Sequence, residues 1–329
     1  MPTLRSAAAC TLALSLACGA CASPSSGSGE SKRRLSIATG GTGGVFYPYG
    51  GGIAKVITEQ LDNVEATAEV TAASVDNLKF LEQGTSDLAF TMADMAQDAL
   101  VGRDVFSDFG SVRVRTLAVL YPSYLHLVAR AGDGISSLAD LRGRVVSTGA
   151  AGSGTTVIAH RMLRAAGLEP GRDIREQSLG VAQSVDALKD GKTDAFFFQG
   201  GLPTASILDL VNSPGVTARL IPTDASLPKL EQQFGPSLYY REVIPKATYS
   251  TDGDIPVTAV AVLLVASETM PEDLAHDITQ VLFDKQTELA AIHPQARTLS
   301  LATALTGSPI PFHPGAIRFY RERNVWTGQ

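Results

Sequence analysis

The sequence predicts an α/β protein built from two similar lobes, each a mixed sheet flanked by helices, with a ligand cleft between them. Three observations carry this expectation. First, strand-like Leu35 to Ala38 runs into the loop Thr39-Gly-Gly-Thr-Gly-Gly44 and then a helix, and Arg144 to Ser147 runs into Thr148-Gly-Ala-Ala-Gly-Ser-Gly-Thr155 and another helix. Second, a further pair follows in the same order. Ser74-Val-Asp-Asn-Leu-Lys79 leads to Gly84-Thr-Ser-Asp87, and Ser184-Val-Asp-Ala-Leu-Lys189 leads to Gly191-Lys-Thr-Asp194. The copies stand about 110 residues apart, too far for a stacked repeat and suited to a duplicated lobe. Third, strand and helix patterns alternate, which argues for parallel-type sheets with helices on both faces. Ligands in such folds sit beyond the carboxyl ends of the strands, where both Gly-rich loops fall.

In chain order, Pro48 suits the first turn of a helix that continues through Ile53, Val56, Ile57 and Leu61 at helical spacing, with Gly50 to Gly52 weakening its start. Residues 64–70 alternate as a strand, a helix begins at Ser74, and 88–90 read as a buried strand. Separate strands are expected at 116–120 and 125–130, with Tyr121, Pro122 and Ser123 between them. Residues 135–143 read as a helical turn at the surface. The second lobe opens with a strand at 144–148 and a helix carrying Val157, Ile158, Met162 and Ala165 on one face. A strand at 174–179, a helix from Ser184, and strands at 195–198 and 216–221 complete it. Residues 223–255 show no sustained periodicity. The apolar run 256–265 predicts a strand that returns to the first lobe, with 124–130 as its antiparallel partner. A last major helix holds Leu274, Ile278, Val281, Leu282 and Leu289 in register. The expected lobes are therefore 35–130 plus 256–329, and 131–255.

The 329 residues are 44% hydrophobic and 18% charged, with a formal charge of −6, enough for two modest cores. Without clustered Lys and Arg, a generic nucleic-acid binder is excluded. The N-terminus reads as an export segment: Arg5, then an apolar stretch from Ala7 to Ala17 too short to span a bilayer. It ends at Ala17-Cys18-Gly-Ala-Cys21, which resembles a bacterial lipobox. Residues 1–17 then form a lipoprotein signal peptide, with Cys18 as the lipidated residue and Cys21 as the alternative. The Ser/Gly-rich residues up to 34 form a flexible tether. All three cysteines lie in this segment, so the body carries no disulfide and no thiol nucleophile. An extracytoplasmic protein held to the membrane by a lipid anchor is the expectation.

Gly-rich loops at helix N-termini offer unpaired N–H groups and the positive end of a dipole to an anion. No Gly-Lys-Ser/Thr follows the first loop, and Phe46 stands where a dinucleotide fingerprint needs its third glycine, so nucleotide cofactors are not expected. No catalytic elbow is present. Ser226 and Lys229 match Ser-x-x-Lys, but Pro228 argues against the helical start that motif needs. The five histidines lack metal-ligand spacing, and His293 and His313, each before a proline, read as ending helices or fixing turns. The candidate ligand-binding residues are Thr42, Gly43, Gly44 and Tyr47 in and beside the first loop and Gly152, Ser153, Gly154, Thr155 and Thr156 in the second. Asn77 is a candidate carboxylate donor, Asp94 a candidate acceptor from a ligand ammonium, and Tyr121 and Gln199 lie nearby. No catalytic residue, metal or cofactor is expected. A surface hydrolase using Ser153 is the contrary class.

These stretches resemble the TAXI branch of TRAP-transporter solute receptors. The likeness rests on Ile37 to Pro48, Ser74 to Leu78, Asp87 to Asp94, Gly149 to Thr155, Asp186 to Phe198 and Pro309 to Gly315, over roughly residues 35–323. It implies a periplasmic-binding-protein type II fold that closes on a small organic anion, glutamate-like or a 2-oxo dicarboxylate. It also implies delivery to a multi-spanning, TRAP-type permease. Thr42 to Gly44, Asn77, Asp94 and Gly152 to Thr155 carry over as site residues. Thr156 and Met92 depart from the common acidic residue and Gln, which leaves ligand identity open. An ABC-type amino-acid receptor of the same fold is the alternative.

Overall fold

The computed structural model describes residues 32–328. The signal segment, Cys18, Cys21 and most of the tether lie outside them.

The first stretch of chain alternates β1 (Arg33–Ala38), α1 (Phe46–Gln60), β2 (Val64–Glu69), α2 (Ser74–Gln83), β3 (Leu88–Met92) and α3 (Ala93–Val101) before the long β4 (Val114–Arg130). The same alternation then recurs as β5 (Val145–Ser147), α4 (Gly154–Ala165), β6 (Arg175–Gln177), α5 (Val181–Lys189), β7 (Ala195–Gly200), α6 (Ala205–Val211) and β8 (Ala218–Ile221). The chain continues through α7 (Leu227–Phe234), β9 (Tyr239–Ile244), α8 (Lys246–Tyr249), β10 (Ile255–Ser267), α9 (Glu272–Asp284), α10 (Gln286–Ile292) and α11 (Pro314–Glu322).

The sheet contains the same five-strand order twice. In the first half it is β2-β1-β3-β10-β4, and in the second β6-β5-β7-β4-β8. In each, the first three strands run parallel and the fourth enters antiparallel. β4 and β10 are long enough to serve both halves. Residues 114–124 of β4 pair with β10, while 124–130 pair with β7 and β8.

Hydrogen bonds repeat along with topology. The Asp87 carboxylate accepts from Ser36 N–H (2.8 Å), and the Asp87 N–H donates back to the Ser36 carbonyl (2.9 Å). Asp194 and Val145 make the same exchange at 2.7 and 2.9 Å. Each aspartate follows a glycine of positive φ, Gly84 (69°) or Gly191 (73°), that reverses the chain after a helix. A left-handed residue there is what glycine supplies at least cost.

Several expectations change. β4 is one strand, not two: Tyr121, Pro122 and Ser123 lie inside it, with Pro122 in register opposite Ala261 of β10, and the two register shifts fall earlier in β4, at Leu120 and Leu117. β10 pairs with 114–124 and not with 124–130, because the latter are occupied by the second half. Residues 223–255 hold α7, β9 and α8; their short lengths left too few turns for a period to emerge. Pro228 sits in the first turn of α7, where its missing N–H costs nothing, so it starts a helix instead of preventing one. His293 does end a helix, α10, and it also opens the next helical turn, whereas His313 begins α11: their Nδ1 atoms accept from Gln295 and Gly315 N–H groups, both at 3.2 Å. The expected last helix is two, α9 and α10, followed by α11.

Candidate functional site

Six strand-to-helix joints, three from each half, enclose one cavity of about 300 Å³. From the first half come Gly40, Gly41, Gly44, Val45 and Phe46 after β1, Val70 to Ser74 after β2, and Met92 at the end of β3. The second half supplies Gly149, Ala150 and Ser153 to Thr155 after β5, Gly180, Val181 and Gln183 after β6, and Phe197 to Gly200 of β7. The pairing of joints is a consequence of the duplicated topology: equivalent loops lie at the carboxyl ends of equivalent strands.

Four helices, α1, α2, α4 and α5, begin at this cavity, since Phe46, Ser74, Gly154 and Val181 are both their first residues and part of its lining. First-turn N–H groups lack intrahelical partners, and the positive ends of the dipoles add to them. No Lys, Arg, His, Asp or Glu is among the lining residues. The walls are uncharged: Val45, Phe46, Met92, Val181, Phe197 and Phe198 are apolar, and Thr71, Ser74, Ser153, Thr155, Gln183 and Gln199 are polar. Such a chamber can hold one anionic group at helix ends and an apolar body against the rings.

The second loop is built around Ser153, the N-cap of α4. Its Oγ accepts from Thr156 N–H (3.2 Å) and donates to the Ala150 carbonyl (2.6 Å), a carbonyl that Thr156 Oγ1 also reaches at 2.8 Å. Gly149 has φ of 109°, and a Cβ there would lie 2.8 Å from Thr155 Cβ, so backbone and space both require glycine. Thr155 Oγ1 accepts from Gln199 N–H at 3.3 Å, tying the loop to β7. At the head of α2, Ala73 holds φ 96° and ψ −147°, a region nearly reserved for glycine. That strain sits in the cavity wall.

The halves touch across the cavity. The Gly43 carbonyl accepts from the N–H (3.4 Å) and hydroxyl (3.2 Å) of Ser206 in α6. Asp76 N–H donates to the Gly152 carbonyl at 3.1 Å, and the Met92 methyl lies where a Cβ on Gly154 would go. Deeper, the Arg161 guanidinium of α4 reaches Asp94 (3.4 Å), Asp98, Asp104 (2.7 Å) and the Tyr239 hydroxyl (2.7 Å). Burial pushes the Asp94 carboxyl above its usual range, and Arg161 with the Tyr239 hydrogen bond pulls it partway back.

Of the residues expected at the site, Gly44, Ser153, Gly154, Thr155 and Gln199 line the cavity. Gly43 and Gly152 stand beside it as contacts between halves. Thr42 is exposed, Tyr47 half-buried, and neither lines it. Thr156 serves the cap. Asn77 does not reach the cavity: its Nδ2 donates to the carbonyls of Thr39 (2.7 Å), Phe90 (2.8 Å) and Ala38 (3.3 Å), and its Oδ1 accepts from Thr71 Oγ1. It welds β1, β3 and the β2–α2 joint together, leaving no N–H for a carboxylate. Asp94 is likewise engaged by Arg161, Tyr239 and its neighbour Met95, so it has no place for an ammonium. Tyr121 is buried against Tyr49, their rings 6.0 Å apart. Sequence reasoning missed the second joint of each half, at 70–74 and 180–183, and the β7 phenylalanines. Their position after the second and third strands of each copy was the available signal.

The fold recurs in solved structures. A protein of Bordetella bronchiseptica RB50 matches at 17% identity and a TM-score of 0.51, over 88% of this chain and 89% of that one. The binding-protein component of an ABC phosphonate transporter from Pseudomonas aeruginosa matches at 11% identity and 0.51, over 80% and 79%. Residues 37–323 match a family model that takes in nearly all of the described chain, and the protein belongs to the NMT1-like family.

Proposed function

We propose that this protein is an extracytoplasmic solute-binding receptor that closes on a small organic anion and presents it to a membrane permease. One observation carries the reading: two helix N-termini from each half converge on a single cavity whose lining holds no charged side chain. Affinity then reflects the difference between open and closed states, since the ligand contacts both halves only when they meet. The proposed lobes are 35–130 with 256–329, and 131–255, moving about the shared strands. Tethering through Cys18, or Cys21, would hold the receptor at the membrane surface.

The sequence suggested glutamate-like amino acids and 2-oxo dicarboxylates, and the uncharged lining favours instead an acid that buries a single charge. A second carboxylate or an ammonium would lie against uncharged walls without a counter-charge. Isothermal calorimetry against glutamate, glutamine, 2-oxoglutarate, succinate and pentanoate tests the reading, with binding of at least one acid expected. No heat from any of them removes it.

The permease is proposed as TRAP-type from the resemblance in the loops. An ABC-type partner is the second reading, supported by the phosphonate-transporter component that shares the fold. Transport in vesicles driven by a sodium gradient selects the first; transport requiring ATP selects the second. A hydrolase is disfavoured because Ser153 Oγ is spent on the cap, donating to the Ala150 carbonyl and accepting from Thr156 N–H. Turnover abolished by Ser153→Ala would restore that reading.

A further inference from the structure

A buried hydroxyl or amide oxygen without a partner destabilises a fold, so such atoms are rare and invite explanation. Five occur together behind the cleft: Tyr49 Oη, Tyr121 Oη, Ser123 Oγ, Gln199 Oε1 and Gln295 Oε1. All five residues are more than nine-tenths buried. Tyr121 and Ser123 are two apart in β4 and share a face, and the Tyr121 ring stacks on that of Tyr49. Gln199 Nε2 donates to the Ser123 carbonyl at 2.5 Å, and Gln295 Nε2 to the Leu202 carbonyl at 2.8 Å. Those bonds fix which amide atom is left over: in both glutamines it is the oxygen. Gly201 permits the crowding, because a Cβ there would lie 2.8 Å from Gln295 Cγ and 2.9 Å from Tyr121 Cε2.

The cluster abuts the cavity. Gln199 and Gly200 belong to its wall, and so does Phe46, one helical turn before Tyr49 in α1. Its chemistry is uncharged throughout, three hydroxyls and two carbonyl oxygens. Burial raises the Tyr49 and Tyr121 hydroxyls above their usual range, keeping both protonated.

We propose that Tyr49, Tyr121, Ser123, Gln199 and Gln295 form an inner polar subsite that takes the uncharged hydrogen-bonding end of the solute. The anionic end stays at the helix N-termini. This rests on the receptor reading above and narrows its ligand class. A carboxylate would face two carbonyl oxygens, and an ammonium would be buried without a counter-charge. A hydroxyl or carboxamide supplies hydrogens to the glutamine oxygens and lone pairs to the hydroxyls.

The test is calorimetry with pentanoate, its terminally hydroxylated analogue, glutaramate (the carboxamide analogue) and glutarate, on the wild type and a Tyr49→Phe/Tyr121→Phe variant. The hydroxylated acid or glutaramate should bind wild type roughly tenfold more tightly than pentanoate or glutarate, as one or two neutral hydrogen bonds allow. In the variant that ratio should fall toward one while pentanoate affinity stays within about threefold, and an unchanged circular dichroism spectrum reports intact folding. A ligand-bound crystal structure of the wild type supplies a second readout, with the polar end within hydrogen-bond distance of the five atoms. Equal binding of all four probes, discrimination that survives the substitutions, or a solute held elsewhere overturns the subsite and leaves the receptor standing. Failure of every probe to bind, alongside failure of the wider acid panel, removes both.

Discussion

His126 shows how much a single buried side chain can hold. Its Nδ1–H donates to the Tyr124 carbonyl (2.9 Å), which fixes the tautomer and leaves Nε2 to accept from the Tyr249 hydroxyl at 3.1 Å. That hydroxyl in turn accepts from Thr204 N–H at 2.9 Å, so β4, the end of α8 and the start of α6 are tied together through one imidazole. Burial depresses its pKa from 6.5 to about 4. The unfolded chain therefore binds a proton between these values that the folded chain refuses. Stability from this group is complete above about 6.5 and is lost as pH falls toward 4, by roughly 3 kcal/mol in all. Melting curves from pH 7 to pH 4 should show this slope, and His126→Gln should flatten it. An identical slope in the variant would assign the effect elsewhere. None of this was legible in the sequence, where His126 was one histidine among five without spacing to mark it.

At the scale of elements, the repeated aspartates explain why the duplication could be read so early. Asp87 and Asp194 each pin the end of a helix–strand connection to the start of the neighbouring strand, with near-identical distances. Removing either carboxylate leaves a part-buried N–H unpaired. Asp87→Ala and Asp194→Ala should each lower unfolding free energy by about 1–2 kcal/mol in urea titrations. A large asymmetry between them would contradict the equivalence of the two copies. Glycine-led loops and polar turn residues announce such connections locally, because the backbone there needs φ above zero or close approach. Short elements announce nothing: α7 and β9 in 223–255 depend on contacts with α4 and β10 that no local window contains. The continuity of β4 through Pro122 was hidden for the same reason, since proline argues against a central strand and its in-register pairing with Ala261 depends on distant sequence.

At the scale of the whole molecule, the contacts between halves bear on the proposed closure. Gly43 meets Ser206, Val181 and Ala182 of the other half, with no room for a Cβ. Gly43→Ala should leave each half folded and weaken binding of a responsive acid by about tenfold or more, through overpacking at closure. Calorimetry together with small-angle scattering reads this as lost affinity and a persistently wider particle; unaltered binding would rule out this contact as a brake on closing. Arg161 acts on the same interface from beneath. Arg161→Met would strand the Asp94 and Asp98 carboxylates in a buried site and should cost about 3–5 kcal/mol at neutral pH. The loss should shrink at low pH, where Asp94, its carboxyl raised by burial, is protonated and needs no cation, and denaturant midpoints at the two pH values measure the difference.

What the chain determined by itself was the duplicated α/β plan and the two glycine loops, because turn chemistry and hydrophobic period are properties of neighbouring residues. It also brought Ser153, Thr155 and Gln199 into consideration, each beside a loop end. The roles of Asn77 and Asp94 were decided only in three dimensions. Both are polar residues near a predicted cleft, and their partners, the carbonyls of Thr39 and Phe90 or the side chains of Arg161 and Tyr239, come from distant sequence. A buried polar group bonds to whatever the fold brings within about 3 Å, and that distance is set by packing of the whole chain, not by spacing along it.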